Sequence, residues 1–212
     1  MKTMRTLALV LALTTVASTL VFAGSKSVTL TNTDKYKNEI RFVSEAPLEK
    51  ITGTANDING TFNIDLQNLG ATKGTLTVPV ISMKTGSSSR DKHMYDDEWL
   101  DEEKFKTISY NVKGLKDAKV ETSGGGRTIV TATAMGDFTL HGVTKYLEAK
   151  VKITYVNETN ETKQIAAGDL VLIQADFFVP LKAHNVFGKG GIVGTKVGEN
   201  IAINATLFGT TK

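Results

Sequence analysis

Cysteine is absent from the 212 residues. That one absence excludes a disulfide framework, thiolate catalysis and every cysteine-based zinc site. Charge of a single sign is lacking too. The 25 Lys and Arg face 22 Asp and Glu, and Lys2 and Arg5 lie in a leader-like segment, so the remainder is close to neutral. A mixed, near-neutral surface has no field for gripping phosphate backbones, which argues against a nucleic-acid partner. Motifs of chemistry are equally scarce: the chain has no Gly-x-Ser-x-Gly nucleophile elbow and no Asp-x-Asp-x-Asp-Gly calcium loop. It also has no stretch approaching the ~18 consecutive apolar residues of a membrane-spanning helix.

What stands at the front is shorter than a span. Lys2 and Arg5 precede an apolar run from Leu7 to Val21, and Val21-Phe22-Ala23 leads into Gly24. Residues 1–23 therefore read as a cleavable secretory signal, with a soluble mature domain over residues 24–212. Export without disulfides suits a bacterial envelope, and the expected location is the periplasm. The Asn-x-Thr triplets at Asn59, Asn157, Asn160 and Asn204 are what a Thr-rich chain produces by chance.

Period-2 alternation of apolar and polar residues dominates the mature part. Ile40 and Phe42 flank Arg41, and Phe62, Ile64 and Leu66 alternate with Thr61, Asn63 and Asp65. Leu76, Val78 and Val80 repeat the pattern, as do Ile108, Tyr110 and Val112, then Val151, Ile153 and Tyr155, and finally Ile201, Ile203, Ala205 and Leu207. Turn signals such as Asn59-Gly60, Ser123-Gly124-Gly125-Gly126 and His141-Gly142 separate them. This predicts an all-β domain of eight or nine antiparallel strands, a sandwich or a closed barrel.

Between two of these runs lies Arg90 to Glu103, a dense charge block holding the single tryptophan. Ser87 to Ser89 predict a helix cap, with a short helix to about Tyr95 and a further turn from Asp96. Met94, Trp99, Leu100 and Phe105 then form an apolar underside, and Arg90, Lys92, Asp97 and Glu102 face water. Asp91, His93, Asp96, Asp97 and Glu98 are the residues for an acid/base or metal reading of this block, and His93, His141 and His184 are the candidate imidazole ligands. Clustered carboxylates are more often a solvated face, and His141-Gly142 reads as a tight turn. The expectation is no catalytic residue, no metal and no cofactor. Gly188 to Gly194 opens no helix and lacks a Gly-Lys-Ser/Thr ending, so it reads as a rim loop and not a phosphate loop.

The motifs Arg90-Asp91-x-His93-Met94, Trp99-Leu100-Asp101-x-x-Lys104-Phe105, Gly136-Asp137-Phe138-Thr139-Leu140-His141-Gly142-Val143-Thr144 and Val197-Gly198-Glu199-Asn200-Ile201-x-Ile203 occur in order, and with them the chain resembles the YceI family of secreted polyisoprenoid-binding proteins. The likeness runs from about residue 74 to 208, while Asp34 to Phe42 echoes the family's opening only loosely. The resemblance implies a lipocalin-like, extended eight-stranded antiparallel β-barrel with a short helical cap. It implies a non-catalytic carrier that holds a long-chain amphiphile, such as an isoprenoid, a quinone-type lipid or a fatty-acid derivative, and touches a membrane only transiently for exchange. Alternation then nominates Phe42, Phe62, Ile64, Leu76, Val78, Met94, Trp99, Ile108, Tyr110, Phe138, Phe178 and Phe187 as lining residues, with Tyr110 or His184 meeting a polar head group. The alternatives are a packed β-scaffold for a protein partner, and an enzyme built on the charge block. The sequence leaves the oligomeric state open, a homodimer included.

Overall fold

The computed structural model describes residues 24–211; the signal-peptide expectation for residues 1–23 lies outside them. Ten strands are present: β1 (Lys26–Leu30), β2 (Glu39–Glu45), β3 (Lys50–Ala55), β4 (Asn59–Ile64), β5 (Lys73–Pro79), β6 (Thr107–Gly124), β7 (Arg127–Leu140), β8 (Val143–Val156), β9 (Leu170–Pro180) and β10 (Asn200–Thr211). One α-helix, α1 (Ser88–Tyr95), follows β5. Every strand pairing is antiparallel, in the order β1-β4-β5-β6-β7-β8-β9-β10, and β10 returns to β1. That ring is a closed eight-stranded barrel, and closure gives each of its strands a partner on both sides over at least part of its length, which limits the free edges that make open sheets aggregate.

The two strands outside the ring explain the excess over eight. β10 pairs with β2 from Ile201 to Thr206 and with β1 from Gly209 to Thr211, so β1 and β2 share one slot end to end, with β3 hydrogen-bonded to β2. Where one hands over to the other, the Phe208 N–H has no strand partner. The Asn38 side chain supplies one: its Oδ1 accepts from Phe208 N at 2.7 Å while its Nδ2 donates to Thr31 O at 3.0 Å. Asn38 is buried, as a side chain standing in for a missing strand must be.

Inward positions follow the alternation. In β7 the even-numbered Thr128, Val130, Ala132, Ala134, Phe138 and Leu140 are buried and the odd-numbered ones are more open. Gly136 belongs to the same face, and a β-carbon there would lie 2.4 Å from Asn111 O and 2.9 Å from the Tyr110 ring. Its lack of a side chain lets Tyr110 cross it and donate its phenol between Leu147 O at 3.0 Å and Ala134 O at 3.1 Å. The end of the barrel away from α1 is packed by Val28, Val130, Val171, Tyr155 and Leu207, all nearly inaccessible.

Asn38→Leu should remove the stand-in partner and leave the Phe208 N–H buried and unpaired, at a cost of about 1–3 kcal/mol. Denaturant melts of the two proteins check this. An unchanged midpoint would show that the junction does not need the side chain.

Candidate ligand cavity and its cap

The strand ends define a mouth. β2–β3, β5–β6, β7–β8 and β9–β10 all turn at the same end of the barrel, and two of these connections are long: residues 80–106, which contain α1, and residues 181–199. Ser87 caps α1 by accepting from Arg90 N, and Asp91 stands in the first turn, where the helix dipole favours a carboxylate. Asp91 is buried and accepts from both Thr85 N and Thr85 Oγ1 at 2.7 Å. Tyr95 donates to Met83 O, so the helix is fixed at each end to the segment that follows β5.

Two ion pairs then cross the mouth from this cap. Arg90 reaches Glu49 in the β2–β3 turn at 3.3 Å, and Glu98 meets Lys189 in the β9–β10 connection at 3.1 Å. Both are exposed and worth little in stability. An apolar contact stands beside them. Gly188, at φ +71°, lies flat against the Trp99 ring, where a β-carbon would sit 2.6 Å from the indole. Glycine is required there for both its backbone angle and its lack of bulk.

Beneath the cap lies a vestibule of about 710 Å³. Met94, Trp99 and Leu100 form its roof, Leu140, Val179 and Ile201 are among its walls, and Arg90, His93, Lys189 and Lys196 stand at its edge. Phe42, Met83, Ile108, Phe138 and Ile203 border it below and also border a second space inside the barrel, of about 120 Å³. Phe62, Ile64, Leu76, Val78, Tyr110 and Phe177 line that inner cavity, and Thr72, Ser109 and the committed phenol of Tyr110 are the polar groups in a lining otherwise apolar. An apolar cavity of this kind stays dry and favours apolar guests.

Several expected residues are therefore together: Phe42, Phe62, Ile64, Leu76, Val78, Ile108, Tyr110 and Phe138 around the inner cavity, Met94 and Trp99 above it. Phe178 and Phe187 are corrections, being 66 % and 51 % exposed. Ile173, Phe177 and Val179 take the inward parity of β9, so Phe178 shares the outer face with Gln174 and Asp176. Those two polar neighbours are the signal that selects Phe177 over Phe178. Phe187 follows the left-handed Asn185 (φ +60°) in an irregular segment, where Val186 takes the buried position instead. Phe105 leaves the underside of the cap and packs on the β7–β8 turn, edge-on to His141 at 5.0 Å.

The head-group expectation changes as well. Burial holds the Tyr110 phenol protonated, and its hydrogen is committed to backbone carbonyls. His184 is fully buried, with Nδ1 2.9 Å from Pro180 O and its ring edge-on to Phe138 at 5.6 Å; it does not stand at the mouth. The charge block is used in holding the cap, through Asp91 on Thr85, Glu98 on Lys189 and Asp101 on Lys104 at 2.7 Å. Among the described residues no group of three or more His, Asp or Glu is placed to hold a metal ion.

Residues 32–208 match the YceI-like domain model. The chain belongs to the YceI family. A UPF0312 protein of Vibrio vulnificus is 31% identical over 141 residues, covering 66% of this chain and 70% of the relative. Among solved structures, BcnA of Burkholderia cenocepacia superposes with a TM-score of 0.61 at 15% identity over 84% of this chain and 99% of its own. A polyisoprenoid binding domain from Saccharophagus degradans, described as implicated in plant cell wall breakdown, gives 0.59 at 15% over 88% and 99%. At such identities the shared property is the fold, and the YceI fold is the barrel described above.

The Asp91 carboxyl lies below its ordinary range. Burial alone pushes it up, and the two Thr85 hydrogen bonds, with Lys84 and Arg90 nearby, outweigh that. A carboxyl lowered on folding contributes stability above its unfolded value of about 4 and loses it as pH falls through the folded value. Cap anchoring should accordingly hold at neutral pH and weaken below about pH 4, seen as a red shift of Trp99 emission. Asp91→Asn should show red-shifted emission already at neutral pH and a smaller acid step. Identical titrations of the two proteins would remove Asp91 from the anchoring role.

Proposed function

We propose that this YceI protein is a non-catalytic carrier that holds the apolar chain of a long amphiphile, of the isoprenoid, quinone or fatty-acyl kind, in the barrel. The observation that carries the reading is that an apolar inner cavity lies directly beneath the capped vestibule, the two sharing Phe42, Ile108, Phe138 and Ile203 as lining. A space of about 710 Å³ is of ligand size, and each CH₂ moved into it from water gains about 0.8 kcal/mol. The related domain from Saccharophagus degradans, named for polyisoprenoid binding, supports the same class of guest. The mouth supplies mixed charge in Arg90, Lys189, Lys196, Glu49 and Asp96, which suits a polar head left at the water boundary. The leader-like residues 1–23 support a periplasmic carrier that meets the membrane during exchange.

Solvent extraction of protein purified from its native host, followed by mass spectrometry, should return a long-chain lipid near one per chain. Ile64→Trp places an indole in the inner cavity and should cut that recovery severalfold, while the stripped variant melts close to stripped wild type. Stripped samples are compared because bound lipid itself raises stability. A packed interior gives the opposite pattern: a loss of about 1–3 kcal/mol in the stripped variant, with no lipid recovered from either protein.

A further inference from the structure

The barrel wall has a gap on one side. β8 and β9 are hydrogen-bonded from Val156↔Leu170 to Lys150↔Asp176, and there the ladder stops. Each strand continues toward the mouth with its other neighbour, β8 with β7 as far as Val143↔Leu140 and β9 with β10 as far as Asn200↔Pro180. Residues 143–149 of β8 and 177–180 of β9 therefore face each other across an unpaired window. The turn Lys182–His184 closes it above, held to the β7–β8 turn where His141 Nδ1 lies 3.3 Å from His184 O. Four unpaired residues on the β9 side give it a height of about 13 Å at strand rise.

One side chain thickness separates the two faces of this window. Phe177 borders both the inner cavity and an outer groove of about 640 Å³ between β8 and β9. Its ring stacks on Tyr110 at 6.4 Å and meets Phe138 edge-on at 6.0 Å, so apolar and aromatic contact holds it in the opening. Outside stand Tyr146 and Phe178, 60 % and 66 % exposed, with Lys145 and Lys150 beside them. Tyr146 donates its phenol to Glu148 at 2.7 Å, but its ring and that of Phe178 leave apolar surface in water on the strand wall.

Volume supplies the reason for a second opening. The inner cavity is small beside the vestibule, about 120 Å³ against about 710 Å³. The far end of the barrel is closed by the packed Val28, Val130 and Val171. A chain that enters from the mouth and is longer than the vestibule and the inner cavity together finds its way out at the wall beside Phe177.

Resting on the carrier reading above, we propose that the β8–β9 window is a side port of the barrel. Swinging of Phe177 opens it, and the distal part of the guest's apolar chain passes through to lie in the outer groove against Tyr146 and Phe178.

The absence of cysteine makes the test direct, since a single introduced cysteine can carry one fluorophore. An environment-sensitive label is attached to Phe178→Cys beside the port, or to Val120→Cys on the β6–β7 hairpin at the opposite end. Two probes brominated at the far end of the chain are titrated in: omega-bromopalmitate and a polyprenol carrying bromine on its terminal isoprene. A shift of Trp99 emission in the vestibule, which needs no bromine beside the indole, reports that a probe has entered. With entry established, the port predicts at least twofold quenching of the label at position 178 and none at position 120. Phe177→Ala should deepen that quenching, and Phe177→Trp should reduce it. Entry without quenching at 178 overturns the port and leaves the carrier reading standing. Absence of both signals with both probes overturns the carrier reading, and the port with it.

Discussion

β10 must find hydrogen-bond partners along both edges, and its twelve residues do so only because β1 and β2 divide one edge between them. A single strand there would have closed the ring without a junction. The split instead leaves the Phe208 N–H for Asn38 to satisfy, and it carries β2 and β3 toward the mouth, where their turn presents Glu49 to the cap. Closure, the reach of the wall around the vestibule and one anchor of the helix thus follow from one shared edge. An open sheet of the same sequence would expose the whole apolar face that now encloses the cavity.

That enclosed face is underfilled for a reason visible in its residues. Small side chains, Ala134, Ala149, Ala175 and Ala205, face the inner cavity among Phe42, Phe62, Phe138 and Phe177. Interiors normally interdigitate to the density of organic crystals, and alanines opposite rings leave space that neighbouring strands, tied by their ladders, do not move in to fill. The unfilled volume is thermodynamically costly to an empty protein because its walls lack contacts on one side. In the carrier reading proposed above, a bound apolar chain restores those contacts, and the residues that weaken the core are the ones that create affinity.

Much of this was legible in the sequence, and its limits are physical. Alternation located β2, β4, β5, β6, β8 and β10 and selected Phe62, Ile64 and Val78 as inward, because period 2 ties each residue's face to its neighbours. It failed at Phe178, where two adjacent phenylalanines compete and parity has to be taken from Gln174 and Asp176 further back. It had nothing to work on at Phe187, since an irregular loop has no period. The helix start at Ser87 was readable from local capping chemistry. The burial of Asp91 and His184 was not, because it depends on how the two mouth connections fold onto the barrel, which sets His184 against Phe138, distant in the chain. The strand β1 was missed for the same reason: Lys26 to Leu30 acquires its role from β4 and β10, far along the chain.

The mouth and the side window differ in what keeps them shut, and the difference bears on exchange. At the mouth, Arg90–Glu49 and Glu98–Lys189 are exposed pairs that salt screens and that contribute little to stability. Trp99 against Gly188 and the Asp91 anchor provide the lasting hold. At the window, Phe177 is retained by ring contacts with Tyr110 and Phe138, and Tyr110 is itself fixed by its phenol between Ala134 O and Leu147 O. Loosening the cap frees charged side chains that water accepts readily along with the apolar underside of Met94, Trp99 and Leu100, whereas displacing Phe177 exposes apolar surface alone, which only an apolar partner compensates. Water therefore has access to the mouth but gains nothing at the window, and only an apolar chain or a lipid surface offsets the cost of opening it.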